Sequence, residues 1–64
     1  MRLRKFEVRF YWRDAKTKEL FKMEHAEEVF TFGGMETAIR LGCLRAPREV
    51  LRQMVRPVAY EVRG

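Results

Sequence analysis

The sequence predicts a small α+β domain, in which an N-terminal β-hairpin and a C-terminal strand form an antiparallel sheet packed by one or two short helices. Three observations support this fold class. Residues 3–13 and 19–25 alternate between apolar and polar side chains, as the strands of a hairpin do. The segment that follows Pro47 has helical periodicity, and residues 58–62 alternate again. An SH3-like barrel that ends in a helix is the alternative architecture.

The chain is expected to form one domain over residues 1–64, near the lower size limit at which a hydrophobic core alone holds a fold. Its single cysteine, Cys43, cannot form an internal disulfide, which favours a reducing environment. No apolar run reaches the length of a membrane span, and the first residues lack a signal-peptide core. A cytoplasmic protein is therefore expected. Ten arginines, a single glutamine and no asparagine are typical of a thermophile.

The first strand has two contrasting faces. Its apolar face is formed by Phe6, Val8, Phe10 and Trp12. Its charged face is formed by Lys5, Glu7, Arg9, Tyr11 and Arg13. A short polar loop leads to the second strand, and the preferred register sets Trp12 opposite Phe21 and Arg9 opposite Glu24. A register shifted by two residues would place Arg9 opposite Lys22, and opposed like charges destabilise a sheet.

The apolar positions of the second strand change parity along the chain. Phe21 and Met23 are odd-numbered, whereas Phe30 and Phe32 are even-numbered, and all four are expected in the core. A bulge or a bend within residues 26–28 would shift the alternation by one residue.

Residues 35–44 fit two kinds of secondary structure. The apolar stripe of a buried helix is formed by Met35, Ala38, Ile39, Gly42 and Cys43. The alternation of a strand is formed by Met35, Thr37, Ile39 and Leu41. We favour the helix, because Glu36 suits the first turn and because Ala38 and Arg40 have high helix propensity.

A second helix is predicted over residues 47–55. Pro47 suits the first helical position, and Pro57 ends the helix. The apolar face of this helix is formed by Val50, Leu51, Met54 and Val55. One side of the closing strand is formed by Val58, Tyr60 and Val62.

Charge is segregated along the chain, whose net charge is +5. Residues 1–22 carry +5, residues 23–36 carry −4 and residues 37–64 carry +4. Two basic segments that fold together would form one positive face that attracts polyanions. The acidic middle segment would neutralise part of that face if it folded beside it.

The side chains that catalysis and metal binding require are scarce. The chain has no serine, one histidine and one cysteine, and no spacing supports an activated pair of His25 and Cys43. No recognised metal-ligand spacing is present, and the Gly33-Gly34 pair lacks the length and the lysine of a phosphate-binding loop. We therefore expect a protein that is not an enzyme and that uses no cofactor and no metal.

Two groups of basic side chains are candidates for binding nucleic-acid phosphates. The first group lies on the charged face of the hairpin and consists of Lys5, Arg9, Arg13 and Lys22 around Tyr11. A ring between cations on an exposed sheet suits a base that stacks while its phosphates are held. The second group would form a stripe along the helix over 47–55 and consists of Arg45, Arg48, Arg52 and Arg56. Each pattern is also typical of an ordinary solvated surface.

Two stretches resemble proteins of chromatin or transcription. "FTFGG" followed by "APREVLRQMV" is similar, with gaps, to the end of the small crenarchaeal chromatin proteins, which place an SH3-like barrel on the DNA minor groove. This chain departs from that pattern in its further tail, "RPVAYEVRG". The order strand, strand, helix and a last strand near "VRP" resembles the tiny phage proteins that inhibit host RNA polymerase.

We expect a non-catalytic protein that binds DNA or RNA with low sequence specificity. The charged face of the hairpin would contact phosphates, and the arginine stripe would extend the footprint without reading base edges. The alternative function is a protein-binding regulator, for example a phage or mobile-element factor that occupies a host enzyme such as RNA polymerase. A homodimer that pairs through the edge of the third strand is a further hypothesis.

Overall fold

The computed structural model describes residues 2–63 as a three-stranded antiparallel sheet with two helices. In chain order the elements are β1 (Arg4–Arg13), β2 (Leu20–Thr31), α1 (Met35–Arg45), α2 (Arg48–Gln53) and β3 (Arg56–Val62). The long β1 is the central strand, with β2 on one side and β3 on the other. The predicted α+β class, with a hairpin and a closing strand, is confirmed. The sheet is open, so the alternative SH3-like barrel is wrong.

The hydrophobic core lies between one face of this sheet and the helices. Its largest fully buried side chains are Phe6, Val8, Phe10 and Val29. Ala38 and Gly42 of α1 are buried against this face, and Ala59 of β3 completes it. Apolar side chains of α2 pack against the same core. Both helices therefore cover the face that β1 presents through its even-numbered residues.

Helix α1 approaches the sheet most closely at Gly42. A Cβ atom at this position would lie 2.8 Å from three side-chain atoms of Val8. On the neighbouring strand, Val8 pairs with the small Ala59. Position 42 requires a glycine because there is no room for a Cβ atom, and not because of its backbone angles.

The segment over residues 35–44 is helical, as favoured from the sequence, and the strand interpretation is wrong. Gly34 is the N-cap, in an extended conformation and without a side-chain hydrogen bond. Glu36 lies in the first turn and Arg45 in the last, where each charge interacts favourably with the helix dipole.

The turn of the hairpin is organised by Asp14. Its carboxylate accepts hydrogen bonds from the backbone N–H groups of Lys16 and Thr17, and these bonds hold the pKa of Asp14 below its ordinary value. Beside the turn, Trp12 pairs with Phe21 in the predicted register. The two rings pack against each other at an interplanar angle of 33°, with their centroids 5.5 Å apart.

The register changes farther from the turn. Between Tyr11 and Arg9 the strand β1 advances two residues, while β2 advances four, from Lys22 to Ala26. The predicted pairing of Arg9 with Glu24 is therefore wrong. Across this step β2 has two more residues than β1. Because two is an even number, inward and outward side chains continue to alternate unchanged through β2.

The predicted change of parity in β2 is consequently wrong. Odd-numbered residues continue to face the core, and Val29 and Thr31 are buried. Phe30 and Phe32, which were expected in the core, are 55% and 57% exposed. Phe30 lies instead on the face of the sheet that the helices leave uncovered.

Candidate nucleic-acid interface

The open face is the side of the sheet that the helices do not cover. Strand β1 contributes Lys5, Glu7, Arg9, Tyr11 and Arg13 to it. Strand β2 contributes Leu20, Lys22, Ala26, Glu28 and Phe30 by pairing, and Glu24 by the unbroken alternation of the strand. Strand β3 contributes Arg56, Val58, Tyr60 and Val62. These assignments follow from strand pairing, since residues directly opposite each other in a sheet point to the same side.

Tyr11 lies at the centre of a basic cluster on the open face. It pairs with Lys22 of β2 on one side and with Arg56 of β3 on the other. Arg9 and Arg13 lie two residues away on the same strand and therefore on the same face. Four cationic side chains thus surround one half-buried aromatic ring. We call Tyr11 with these four residues the Tyr11 cluster.

Three members of the Tyr11 cluster have no carboxylate partner within residues 2–63. Lys22, Arg56 and Arg13 take part in no salt bridge there, although Arg13 donates a hydrogen bond of 2.7 Å to the carbonyl of Lys18. Arg9, by contrast, is paired with Glu7. The charge available to an anionic ligand is therefore concentrated at the hairpin end of the face.

An acidic row crosses the middle of the open face. Glu7 and Glu28 lie directly opposite each other, and each is compensated by a cation. Glu7 accepts from Arg9 at 3.1 Å, and Glu28 lies 3.5 Å from Lys5 Nζ. The hydrogen bond from Arg9 holds the pKa of Glu7 below its ordinary value. Lys5 is thus separated from the Tyr11 cluster and partly neutralised.

A second basic region lies at the opposite end of the sheet. A shallow groove where β1 begins and β3 ends is lined by Arg2, Arg4, Lys5 and Arg63. The guanidinium of Arg4 forms two hydrogen bonds of 2.8 Å with Glu61, which link the two strands. Arg4 pairs with the buried Thr31 and lies over the ring of Phe6, so this ion pair is on the helix side of the sheet. Of the basic residues that line the groove, only Lys5 is assigned to the open face.

The predicted arginine stripe does not form. Helix α2 spans only Arg48–Gln53, with Pro47 as its N-cap, and Arg56 belongs to β3. Arg45 ends α1 and donates a hydrogen bond of 3.0 Å to the carbonyl of Glu28. Arg48 and Arg52 are exposed on the helix layer, on the other side of the sheet from the Tyr11 cluster. Only Arg56 of the four joins the hairpin residues.

Two aromatic residues of the open face, Tyr60 and Phe30, are absent from the residues that the sequence indicated for binding. Tyr60 is 41% exposed, and Arg9 lies over its ring with Cζ 4.6 Å from the centroid. Lys5 Nζ lies 5.9 Å from the centroid of Phe30. Ala59, between Val58 and Tyr60, is the β3 residue that faces the core.

The two tyrosines of the open face are linked through their hydroxyl groups, whose oxygens lie 3.2 Å apart. This hydrogen bond, with the nearby Arg9 and Lys22, holds the pKa of Tyr11 below its ordinary value. The pKa of Tyr60 is raised, first by its hydrogen bond with Tyr11 and then by burial, which disfavours the charged phenolate. The hydroxyl contact holds the two rings beside each other.

Cys43 and His25, the two residues considered for catalysis, each pack within the fold. Burial raises the pKa of the Cys43 thiol, which disfavours the reactive thiolate. The His25 ring packs at a tilt against Phe10, with the centroids 5.6 Å apart, and its Nε2 lies against the carboxylate of Glu27. Within residues 2–63 no group of three His, Cys, Asp or Glu side chains is arranged to hold a metal ion. No helix in the described part of the chain is long and apolar enough to cross a membrane.

The chain matches no protein-family model, no curated protein and no solved structure. The interpretation of the open face therefore depends on its own geometry and charge.

Proposed function

We propose that this protein is a non-catalytic nucleic-acid-binding protein of low sequence specificity that binds through the open face. The observation that supports this most strongly is the Tyr11 cluster. A sheet that leaves one face uncovered, with an aromatic ring among four cations, matches the composition of surfaces that stack bases and hold phosphates.

Each part of the open face has a distinct role in this proposal. Lys22, Arg56 and Arg13 contact phosphates, since they have no carboxylate to neutralise them within residues 2–63. Arg9 and Lys5 contribute less charge, because each is paired with a glutamate. Tyr11 stacks on a base or wedges beside one.

Low sequence specificity follows from the side chains that the open face lacks. Asparagine and glutamine are the residues best suited to reading adenine edges. The chain contains no asparagine, and its single glutamine, Gln53, lies on α2 in the helix layer. The lone cysteine remains consistent with a cytoplasmic protein, which is where we place this function.

A protein-binding regulator is the second candidate. Large apolar side chains of α1 are exposed away from the open face, and the most exposed are Met35 and Leu44. A partner protein that covers them would gain buried apolar area. Recovery of one stoichiometric protein from a host extract after nuclease treatment, with no affinity for purified nucleic acid, would favour this function.

The salt dependence of binding tests the proposed function. Binding of labelled mixed-sequence oligonucleotides, measured by fluorescence anisotropy, is expected to weaken as salt is added, because phosphate contacts release counterions. Three free cations predict a slope of about −2 for the logarithm of the affinity of a single strand against the logarithm of salt concentration. Affinity that does not depend on salt, or that is absent at low salt, would contradict the proposal.

A further inference from the structure

Three aromatic rings, one from each strand, lie on the open face. Phe30 is 55% exposed and Tyr60 41% exposed, whereas Tyr11 is half-buried. The core on the other side of the sheet already contains the fully buried Phe6 and Phe10. The rings on the open face therefore lie outside the core, and they leave aromatic surface free for a ligand.

Each of the two exposed rings has a cation beside it. Arg9 lies over Tyr60, and Lys5 lies beside Phe30 at the outer limit of a cation–π contact. A nucleotide stacked on either ring would place its phosphate near a positive charge. A guanidinium plane is itself a stacking surface for bases, so Arg9 enlarges the platform that Tyr60 provides.

The platform is ordered without a ligand. Glu7 accepts hydrogen bonds from Nε and Nη2 of Arg9 at 3.1 Å and 3.4 Å, which orients the guanidinium. The hydroxyl contact between Tyr11 and Tyr60 orients both rings. Side chains fixed in advance lose less conformational entropy when a ligand binds. Glu7 is thus a positioning residue, and its negative charge need not oppose binding, because Arg9 neutralises it.

A double helix would leave the aromatic rings unused. Its bases are stacked on each other, and only their edges are accessible in the grooves. The major groove admits a two-stranded ribbon, whereas three strands spaced about 4.8 Å apart form a broader face. A duplex resting on the open face would contact the cations but not Tyr60 or Phe30. A single strand can contact both kinds of side chain.

We infer that the ligand of the open face is a single-stranded nucleic acid whose bases stack on Tyr60 and Phe30, an inference that rests on the proposed function. Its footprint on the sheet is about two or three bases, the number that aromatic side chains of a comparable sheet stack in RNA-binding domains. Tyr11, between Lys22 and Arg56, holds the strand where it leaves the platform.

Substitutions of the two exposed rings test this inference. Tyr60→Leu and Phe30→Leu keep an apolar side chain but remove the aromatic surface. Each is expected to lower the affinity for a short mixed-sequence single strand by about 5- to 100-fold, the usual loss of one stacked base. The affinity for a duplex of the same sequence is expected to change less than about twofold, because only cations contact it. Fluorescence anisotropy at low salt measures both.

Two further variants serve as controls. Tyr60→Phe keeps the ring but removes the hydroxyl contact with Tyr11, and it is expected to lose less single-strand affinity than Tyr60→Leu. Leu44→Ala removes a side chain that is 82% exposed on the helix layer and is expected to change neither affinity. Thermal unfolding checks that each variant is folded. If Tyr60→Leu does not fold, Phe30→Leu alone tests whether bases stack on the open face.

The outcomes separate the inference from the function on which it rests. The stacking inference would be overturned if the leucine variants lost equal affinity for duplex and single strand, or if neither variant lost affinity. Salt-dependent binding by the wild-type protein would still support the proposed function. Absence of binding by the wild-type protein to both ligands would overturn both.

Discussion

Reversing the two charges that flank Tyr11 is expected to weaken nucleic-acid binding strongly at low salt. Lys22→Glu with Arg56→Glu removes two of the three unpaired cations of the Tyr11 cluster and places two carboxylates beside its ring. We expect a loss of affinity on the order of 100-fold, because each lost phosphate contact is joined by repulsion between like charges. Both side chains are exposed, so the fold is expected to tolerate the changes.

A matched double variant on the helix layer controls for net charge. Each change of Lys or Arg to Glu lowers the charge by two, so Arg48→Glu with Arg52→Glu takes the protein from +5 to +1, as the first pair does. We expect the helix-layer variant to lose less than about tenfold, because it changes only the long-range field. Similar losses for the two variants would mean that net charge, rather than the open face, governs binding.

Gly42→Ala is expected to destabilise the protein more than any surface change. The added Cβ would meet Val8 at 2.8 Å, and one of the atoms it meets is the Cβ of Val8, which cannot move without its backbone. Helix α1 must therefore shift away from the sheet. Overpacking of this kind costs about 1–3 kcal/mol, whereas the higher helix propensity of alanine returns about 1 kcal/mol. A core of this size supplies roughly 3–5 kcal/mol of net stability, so we expect a clear fall in the midpoint of urea unfolding.

Gly34→Ser is the matched control for this substitution. No atom lies within 4 Å of a Cβ placed at Gly34, and the extended backbone suits any residue. The serine hydroxyl can accept a hydrogen bond from the first turn of α1, so stability is expected to stay equal or to rise by about 0.5 kcal/mol. Unfolding midpoints for Gly42→Ala equal to those of wild type would contradict the close packing of α1 on Val8.

The strands and helices of this fold could be predicted from local sequence. The part of the candidate interface on the hairpin could be predicted in the same way. Because successive residues of a strand point to opposite faces, Phe10 and Tyr11 lie on opposite faces of β1 whatever the tertiary structure. The turn sets the nearby pairing of Tyr11 with Lys22, which is correct. Arg56 was assigned to a helix, because the basic spacing continues past the point where α2 ends.

The positions of Phe30 and Tyr60 could not be predicted from local pattern. Alternation in β2 fixes which residues share a face, but the apolar pairs Phe21/Met23 and Phe30/Phe32 have opposite parity, and hydrophobicity alone does not show which pair is exposed. In β3 the core position is occupied by the small Ala59 and the open face by larger side chains. The reason is tertiary: α1 packs on the sheet with Gly42 against Val8, whose partner on β3 is Ala59. The sequence signal for this arrangement is a small residue within β3, Ala59, together with a glycine in the apolar stripe of α1, Gly42.

Mapping the bound surface by NMR tests the central claim most directly. Addition of a short single strand to the labelled wild-type protein is expected to shift backbone amide signals of the open-face residues around Tyr11 and Tyr60, while those of α2 stay unchanged. Shifts concentrated on Arg48–Gln53, or spread evenly over both sides of the sheet, would contradict binding through the open face.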